Sequence, residues 1–170
     1  MDAFECIETK LDIREFGPKE VPREIKLKVL EAARLTGTGL NTQHWRFILI
    51  DNKENLDKLA KDSTSGNWVA SCNFAIIILT NPQYHFHLID AGRVIQNMQL
   101  AAWNYGVGSG IYTGIDEDNF RKDFGVPQES NVSAVIGFGY PIKKLTGKRK
   151  DRVPLGTLIY TEKFGNSINL

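Results

Sequence analysis

Residues 74–80, FAIIILT, limit what this chain can fold into more than any other stretch. A run that stays apolar until Thr80 cannot alternate between core and water, so a strand here must be buried on both faces. Such a strand needs partners at both edges and cover above and below. It therefore belongs at the centre of a sheet.

The remainder of the 170 residues supplies the cover. Residues 2–10 predict a first helix, with Phe4, Ile7 and Leu11 at helical spacing. After a turn at 17–21, Pro22 suits the first position of a second helix carrying Ile25, Val29, Leu30, Ala32 and Ala33. A loop of glycine and small polar residues covers 36–41. A strand follows at 45–50, then a short helix at 55–61 with Leu56, Leu59 and Ala60. In 88–105 the apolar positions from Leu88 to Tyr105 recur every three or four residues and predict the longest helix, largely buried. A glycine-rich strand at 107–113 leads to Asp116, a good N-cap for a short helix that stops at Gly125. The last strand is expected at 132–140.

Strands and helices thus alternate in a chain of single-domain length, which predicts one α/β or α+β domain over 1–170 with its sheet sandwiched by helices. From 141 onward the character changes. Lys143, Lys144, Lys148, Arg149, Lys150 and Arg152 form a basic run, and Leu155, Leu158, Ile159 and Tyr160 follow it. A completed core has no room for that apolar tail, so a partner subunit is its natural surface.

A formal net charge of +1 argues against wholesale nucleic-acid or membrane binding. The longest apolar run is far short of a spanning helix, and the acidic start MDAFECIE lacks the pattern of a secretory signal. A cytoplasmic location is expected. Cys6 and Cys72 fit no metal or redox spacing and read as reduced, packed thiols. His85 and His87 are spaced like two zinc ligands, but only Asp90 is near them, so a solvated loop is favoured and no metal is expected. No G-x-S-x-G elbow or phosphate loop is present. The glycines of GVGSG at 106–110 follow a helix and enter a strand, the reverse of a dinucleotide fingerprint. What remains are anion- and amide-binding groups: Lys10 and Arg14, Asn41 and Gln43, Lys150 and Arg152.

In order along the chain, these groups fall within motifs that resemble one family. TKLDIREF at 9–16 is similar to S-R-R-S-I-R-x-F of the nitroreductase family, and AARLTGTGLNTQHWRF at 32–47 to its A-A-R-x-A-P-S-x-x-N-x-Q-P-W-x-F. Asp90-Ala91-Gly92, Gln96-Asn97 and Leu100-Ala101-Ala102 resemble the D-x-G-x-x-x-Q-N-x-x-L-A-A of the family's central helix. GVG at 106–108, YTG at 112–114, AVIGFGYP at 134–141 and KDRVPL at 150–155 complete the likeness, which covers nearly the whole chain.

The resemblance implies a mixed, mostly antiparallel sheet, an FMN site between two subunits of a homodimer, and a C-terminal arm exchanged between them. Carried over by position, Lys10, Lys150 and Arg152 would surround the FMN phosphate, with Leu11 and Asp12 in the same motif. Arg14 would sit by N1 and O2 of the flavin. Thr38, Gly39 and Asn41 would reach it from the partner. Thr113 and Gly114 would lie at its N5 and O4 edge, and Asn67 by the pyrimidine side. Chemistry would occur at the flavin, so no catalytic side chain is assigned.

Asp12 departs from the pattern, standing where the family carries Ser. A carboxylate ~5 Å from a phosphate charge costs about 3 kcal/mol at an effective dielectric of ~20. Nearby cations offset that cost, or else Asp12 pairs with Lys10 or Arg14 and the site is weakened. Two functions follow. One is an oxidoreductase passing hydride from NADH or NADPH to a small electron-poor acceptor such as a nitroaromatic or quinone. The other is a dimeric binding or regulatory protein that holds flavin weakly or not at all.

Overall fold

The computed structural model describes residues 1–143 and 152–168. Four strands, β1 (Arg46–Ile50), β2 (Phe74–Thr80), β3 (Gly108–Tyr112) and β4 (Asn131–Gly139), form one sheet in the order β1-β2-β4-β3, every pair antiparallel. Among the described residues, the parallel component of the expected mixed sheet is one isolated bridge, Asp12 to Ser109.

β2 is central, and all seven of its residues are buried. Ala75, Ile77 and Leu79 enter one core, while Phe74, Ile76 and Ile78 enter the other. Each fully buried isoleucine stabilises by roughly 1.5–3 kcal/mol, so this strand alone anchors both layers. Phe74 pairs with Phe138 of β4, their rings stacked at 4.7 Å. At the far end the register shifts between Ile78 and Leu79, and the Thr80 hydroxyl bonds the Ser133 hydroxyl at 2.7 Å.

Helices α2 (Arg23–Arg34) and α4 (His87–Asn104) cover one face through Val29, Ala33, Val94, Met98 and Ala102. α3 (Lys53–Lys61), α5 (Glu117–Phe124) and a 3-10 turn (Asn67–Ser71) cover the other through Leu56, Leu59, Val69 and Phe120. α1 (Ala3–Thr9) rests against α4, where the Trp103 indole donates to the Thr9 hydroxyl at 2.9 Å.

The caps explain the boundaries. Asp2, Asn52 and Asp116 each accept a backbone N–H at a helix start. Gly125 ends α5 in the left-handed conformation at φ 62°. Pro22 is the N-cap of α2 rather than its first residue, because its ψ of 144° is extended. α4 is not largely buried as its pattern suggested: Leu88, Ile89 and Tyr105 are exposed. His87 is not a loop residue either, since it opens α4 with its Nδ1 2.8 Å from the Thr80 hydroxyl. Cys6 and Cys72 are free and buried.

Candidate functional site

Edge strand β3 is covered by the segment that follows α1. The Ile13 N–H donates to the Ser109 carbonyl at 2.8 Å, and the Gly17 N–H to the Tyr140 carbonyl at 2.7 Å. This close approach accounts for the glycines of β3. A Cβ on Gly108 would come within 2.7 Å of Ile13, and one on Gly110 would strike the Ile13 carbonyl oxygen. Where residues 12–15 and 141–143 part at the end of the sheet, they enclose a cleft of about 450 Å³. Small-molecule sites ordinarily measure ~300–1,000 Å³.

Two cations, Arg14 and Lys143, and two carboxylates, Asp12 and Glu15, line this cleft. Arg14 is exposed, with its guanidinium carbon 6.0 Å from the centre of the Trp68 ring. Behind the cleft lies Lys10, only 7% exposed, with Nζ 2.6 Å from Asp12 Oδ1 and 3.1 Å from Gln99 Oε1. A buried ammonium needs such partners, because leaving it bare costs several kcal/mol. Of the two pairings open to Asp12, the one formed is with Lys10. Leu11 lies half-buried against the α3–α5 core and turns no polar group to the cleft.

Trp68 links the cleft to the far end of β3. It packs edge-on against Tyr112 at 5.9 Å, and exposed Asn67 precedes it in the 3-10 turn. Thr113 and Gly114 follow β3. The Thr64 N–H donates to the Gly114 carbonyl at 3.0 Å, and a Cβ on Gly114 would strike the Thr64 hydroxyl. Trp68 and Cys72 both close over Gly137, and the Cys72 thiol is pushed up to about 12 by burial and donates to the Phe74 carbonyl at 3.1 Å. Burial likewise raises the Tyr112 phenol, which donates to the Leu59 carbonyl at 3.3 Å. Neither group is poised as a nucleophile or base at neutral pH.

Thr38, Gly39 and Asn41 stand apart. Their loop is tied to Asp90, which accepts the Gly39 N–H at 2.9 and 3.2 Å. Asp90 precedes Gln99 by nine helical residues, roughly 13 Å along α4 at ~1.5 Å each. One chain therefore brings Lys10, Asp12 and Arg14 together, with Asn67, Thr113 and Gly114 flanking through Trp68, but leaves the 38–41 group at the other end of α4. Lys150 lies outside the described residues, and Arg152 opens the described tail. Sequence reading missed Gln99, Trp68, and Asp90 as a hub. A polar residue on the inward face of an apolar helix was the available signal for Gln99 and Asp90.

Among the described residues no three His, Cys, Asp or Glu side chains are grouped as metal ligands, and no helix is long and apolar enough to cross a membrane.

The sequence model of the Nitroreductase family matches residues 7–74 and 66–140. A protein of Methanothermobacter thermautotrophicus, provisionally named an NADH dehydrogenase/NAD(P)H nitroreductase, is 32% identical over 149 residues, covering 83% of this chain and 78% of that protein. Among solved structures, an FMN-dependent nitroreductase of Clostridium difficile R20291 superposes with a TM-score of 0.87 at 23% identity, covering 95% of this chain and 99% of that one. A nitroreductase family protein of Clostridium difficile 630 gives 0.86 at 26%, covering 96% and 99%.

Proposed function

The chain belongs to the nitroreductase family, and on that premise we propose that it is an FMN-dependent oxidoreductase that takes hydride from NADH or NADPH and passes it to a small electron-poor acceptor such as a nitroaromatic or quinone. The observation that carries the reading is the cleft at the end of β3 and β4, with Arg14 held on its wall over Trp68. Its volume and donor set suit a planar, anionic ligand. Arg14 and Lys143 offer charge-assisted hydrogen bonds at the wall, and Lys10, paired with Asp12, lies behind it. The named relatives, NAD(P)H nitroreductases among them, support the same assignment.

FMN, when bound, supplies the two-electron hydride chemistry. The residues of this chain bind it and set its charge environment. A guanidinium at the site favours whichever state of the ligand carries more negative charge, and Arg14 supplies one. Lys10, Asp12, Asn67, Thr113 and Gly114 complete the near side of the site in this reading, with Lys150 and Arg152 from the basic run.

The far side comes from a second copy, making the working unit a homodimer. Three features support that. Leu40 at the tip of the 38–43 loop is 89% exposed, Leu88 and Ile89 leave an apolar face on α4, and the described tail exposes Leu155, Leu158 and Phe164. We place the enzyme in the cytoplasm, where nicotinamide donors are available. The Lys10–Asp12 contact favours the second reading, a dimer that holds flavin weakly and transfers nothing.

The visible spectrum of the purified protein separates the two. A flavin band that bleaches on anaerobic addition of NADH or NADPH is expected. A colourless protein that takes up no added FMN overturns the enzyme reading.

A further inference from the structure

We infer that Asp12 tunes how this chain discriminates among flavins: by pairing with Lys10 it lowers the preference for a phosphorylated flavin over the same ring system without phosphate. The inference rests on the flavin reading above and goes beyond it, because it concerns which flavin the cleft retains.

Three observations carry it. First, Lys10 is the buried cation next to the cleft, and its charge is already matched. Its ammonium lies 2.6 Å from Asp12 Oδ1, with the uncharged Gln99 oxygen at 3.1 Å. An entering phosphate therefore gains little from Lys10 unless it displaces the carboxylate.

Second, the backbone that carries Asp12 is pinned. Its backbone is bridged to Ser109, and the next residue donates its N–H to the Ser109 carbonyl at 2.8 Å. Gly108 and Gly110 lie so close beneath Ile13 that this segment has no room to settle deeper into the sheet. The Asp12 backbone is thus fixed at the cleft wall, and its side chain, 56% exposed and paired with Lys10, stands where an anion would meet it.

Third, with Asp12 matched to Lys10, the described lining of the cleft sets Arg14 and Lys143 against Glu15 alone, so the pairing takes one cation, Lys10, out of reach of a phosphate. Arg14, beside Trp68, is left to meet the ring system that all flavins share.

The test is a titration of the full-length, flavin-stripped protein with FMN and, separately, with riboflavin, following quenching of flavin fluorescence. The wild type is expected to prefer FMN over riboflavin by less than either variant does. In Asp12→Asn, whose side-chain oxygen still accepts from Lys10, FMN binding should tighten by about five- to tenfold while riboflavin binding is unchanged, a surface-scale charge effect. Asp12→Ser should do the same and guards against a misfolded first variant, with circular dichroism checking both. The gain should shrink in high salt. If the Kd ratio in both variants equals that of the wild type, the inference is wrong while the flavin reading stands. If neither flavin binds any of the three proteins, both are overturned.

Discussion

His44 and Asp90 meet at 3.2 Å, Nε2 to Oδ2, with each side chain only 2% exposed. The geometry fixes the tautomer. The Asn81 backbone N–H, which can only donate, points at His44 Nδ1 from 3.3 Å, so the ring proton sits on Nε2 and is donated to Asp90. Gly39 N–H and an Arg93 N–H complete the shell of the carboxylate. Tyr84 and Phe86 wall the imidazole at 5.1 and 6.2 Å. This shell holds a loop that would not hold itself. Leu40, Asn41 and Gln43 have φ of 51°, 54° and 46°, left-handed values that cost about 1–2 kcal/mol for residues with a Cβ.

Asp90→Asn should therefore destabilise the protein by about 1–3 kcal/mol, because an amide turns a donor toward donors already in place. A lower urea midpoint at pH 7 checks this, and hydrogen exchange should quicken at residues 38–43 above all. Unaltered exchange there would mean that the hub does not hold the loop.

The glycines make a paired prediction. A Cβ at 110 would meet the Ile13 carbonyl and the Trp68 ring, so Gly110→Ala must push the 12–16 segment off the sheet. A loss of about 1–3 kcal/mol is expected, with weaker flavin binding, since Asp12 and Arg14 move too. At Gly92, within α4, a Cβ meets nothing within 4 Å of its own chain. Gly92→Ala should raise the stability of an isolated chain by about 0.5–1 kcal/mol. A fall in dimer affinity in the same variant would place a partner against that face.

Much of the fold was legible because local rules and tertiary packing agreed. FAIIILT is apolar on both faces and is the central strand; Asp116 and Gly125 bound α5 as their chemistry requires. Pro22 was misplaced by one residue, since an N-cap and a first helical position share its fixed φ. The periodicity of α4 overstated its burial because a helical stripe records that a residue is apolar, not whether its own chain covers it. Leu88 and Tyr105, at its two ends, are the stripe residues left outside. Within the site, Lys10 and Arg14 were legible from a motif. The partner of Asp12 was not, since Lys10 and Arg14 lie equally near it in sequence and Gln99 closes the choice from 87 residues away. The Asp90 hub joins positions 39, 44, 90 and 93, a pattern no local rule encodes.

Asp62, at the C-cap of α3, gives stability a pH dependence. Burial raises its carboxyl above the usual range, Asp123 and Asp116 add to the rise, and Lys61 opposes it. One of its oxygens is buried without a hydrogen-bond donor. A carboxyl whose folded value is raised contributes stability that is present below its unfolded pKa and lost as pH rises through the folded value. Asp62→Asn should thus be more stable than wild type at pH 7, by on the order of 1 kcal/mol. The advantage should fade toward pH 4. Equal unfolding midpoints at both pH values would remove Asp62 from the account.

Cys72 should be inert in the folded protein. Its thiol is buried, raised to about 12 and bonded to the Phe74 carbonyl. At pH 8 a disulfide-exchange reagent should therefore label it only after denaturation. Fast labelling of the native protein would require this core to open.

The tail supplies the test of assembly. Val153, Leu155, Leu158 and Phe164 are exposed, Phe164 at 90%, while the cores on both faces of the sheet are closed without them. Four large apolar side chains facing water forgo roughly 1.5–3 kcal/mol each when fully uncovered, so a second copy has much to gain by covering them. The full chain should sediment at twice 19.1 kDa. Deleting residues 153–170 should give monomer or aggregate and lose flavin, because the 38–41 group of one copy would no longer be held near the cleft of the other. A truncated chain that stays dimeric and keeps its flavin would show that the α4 face suffices and that the tail has another purpose.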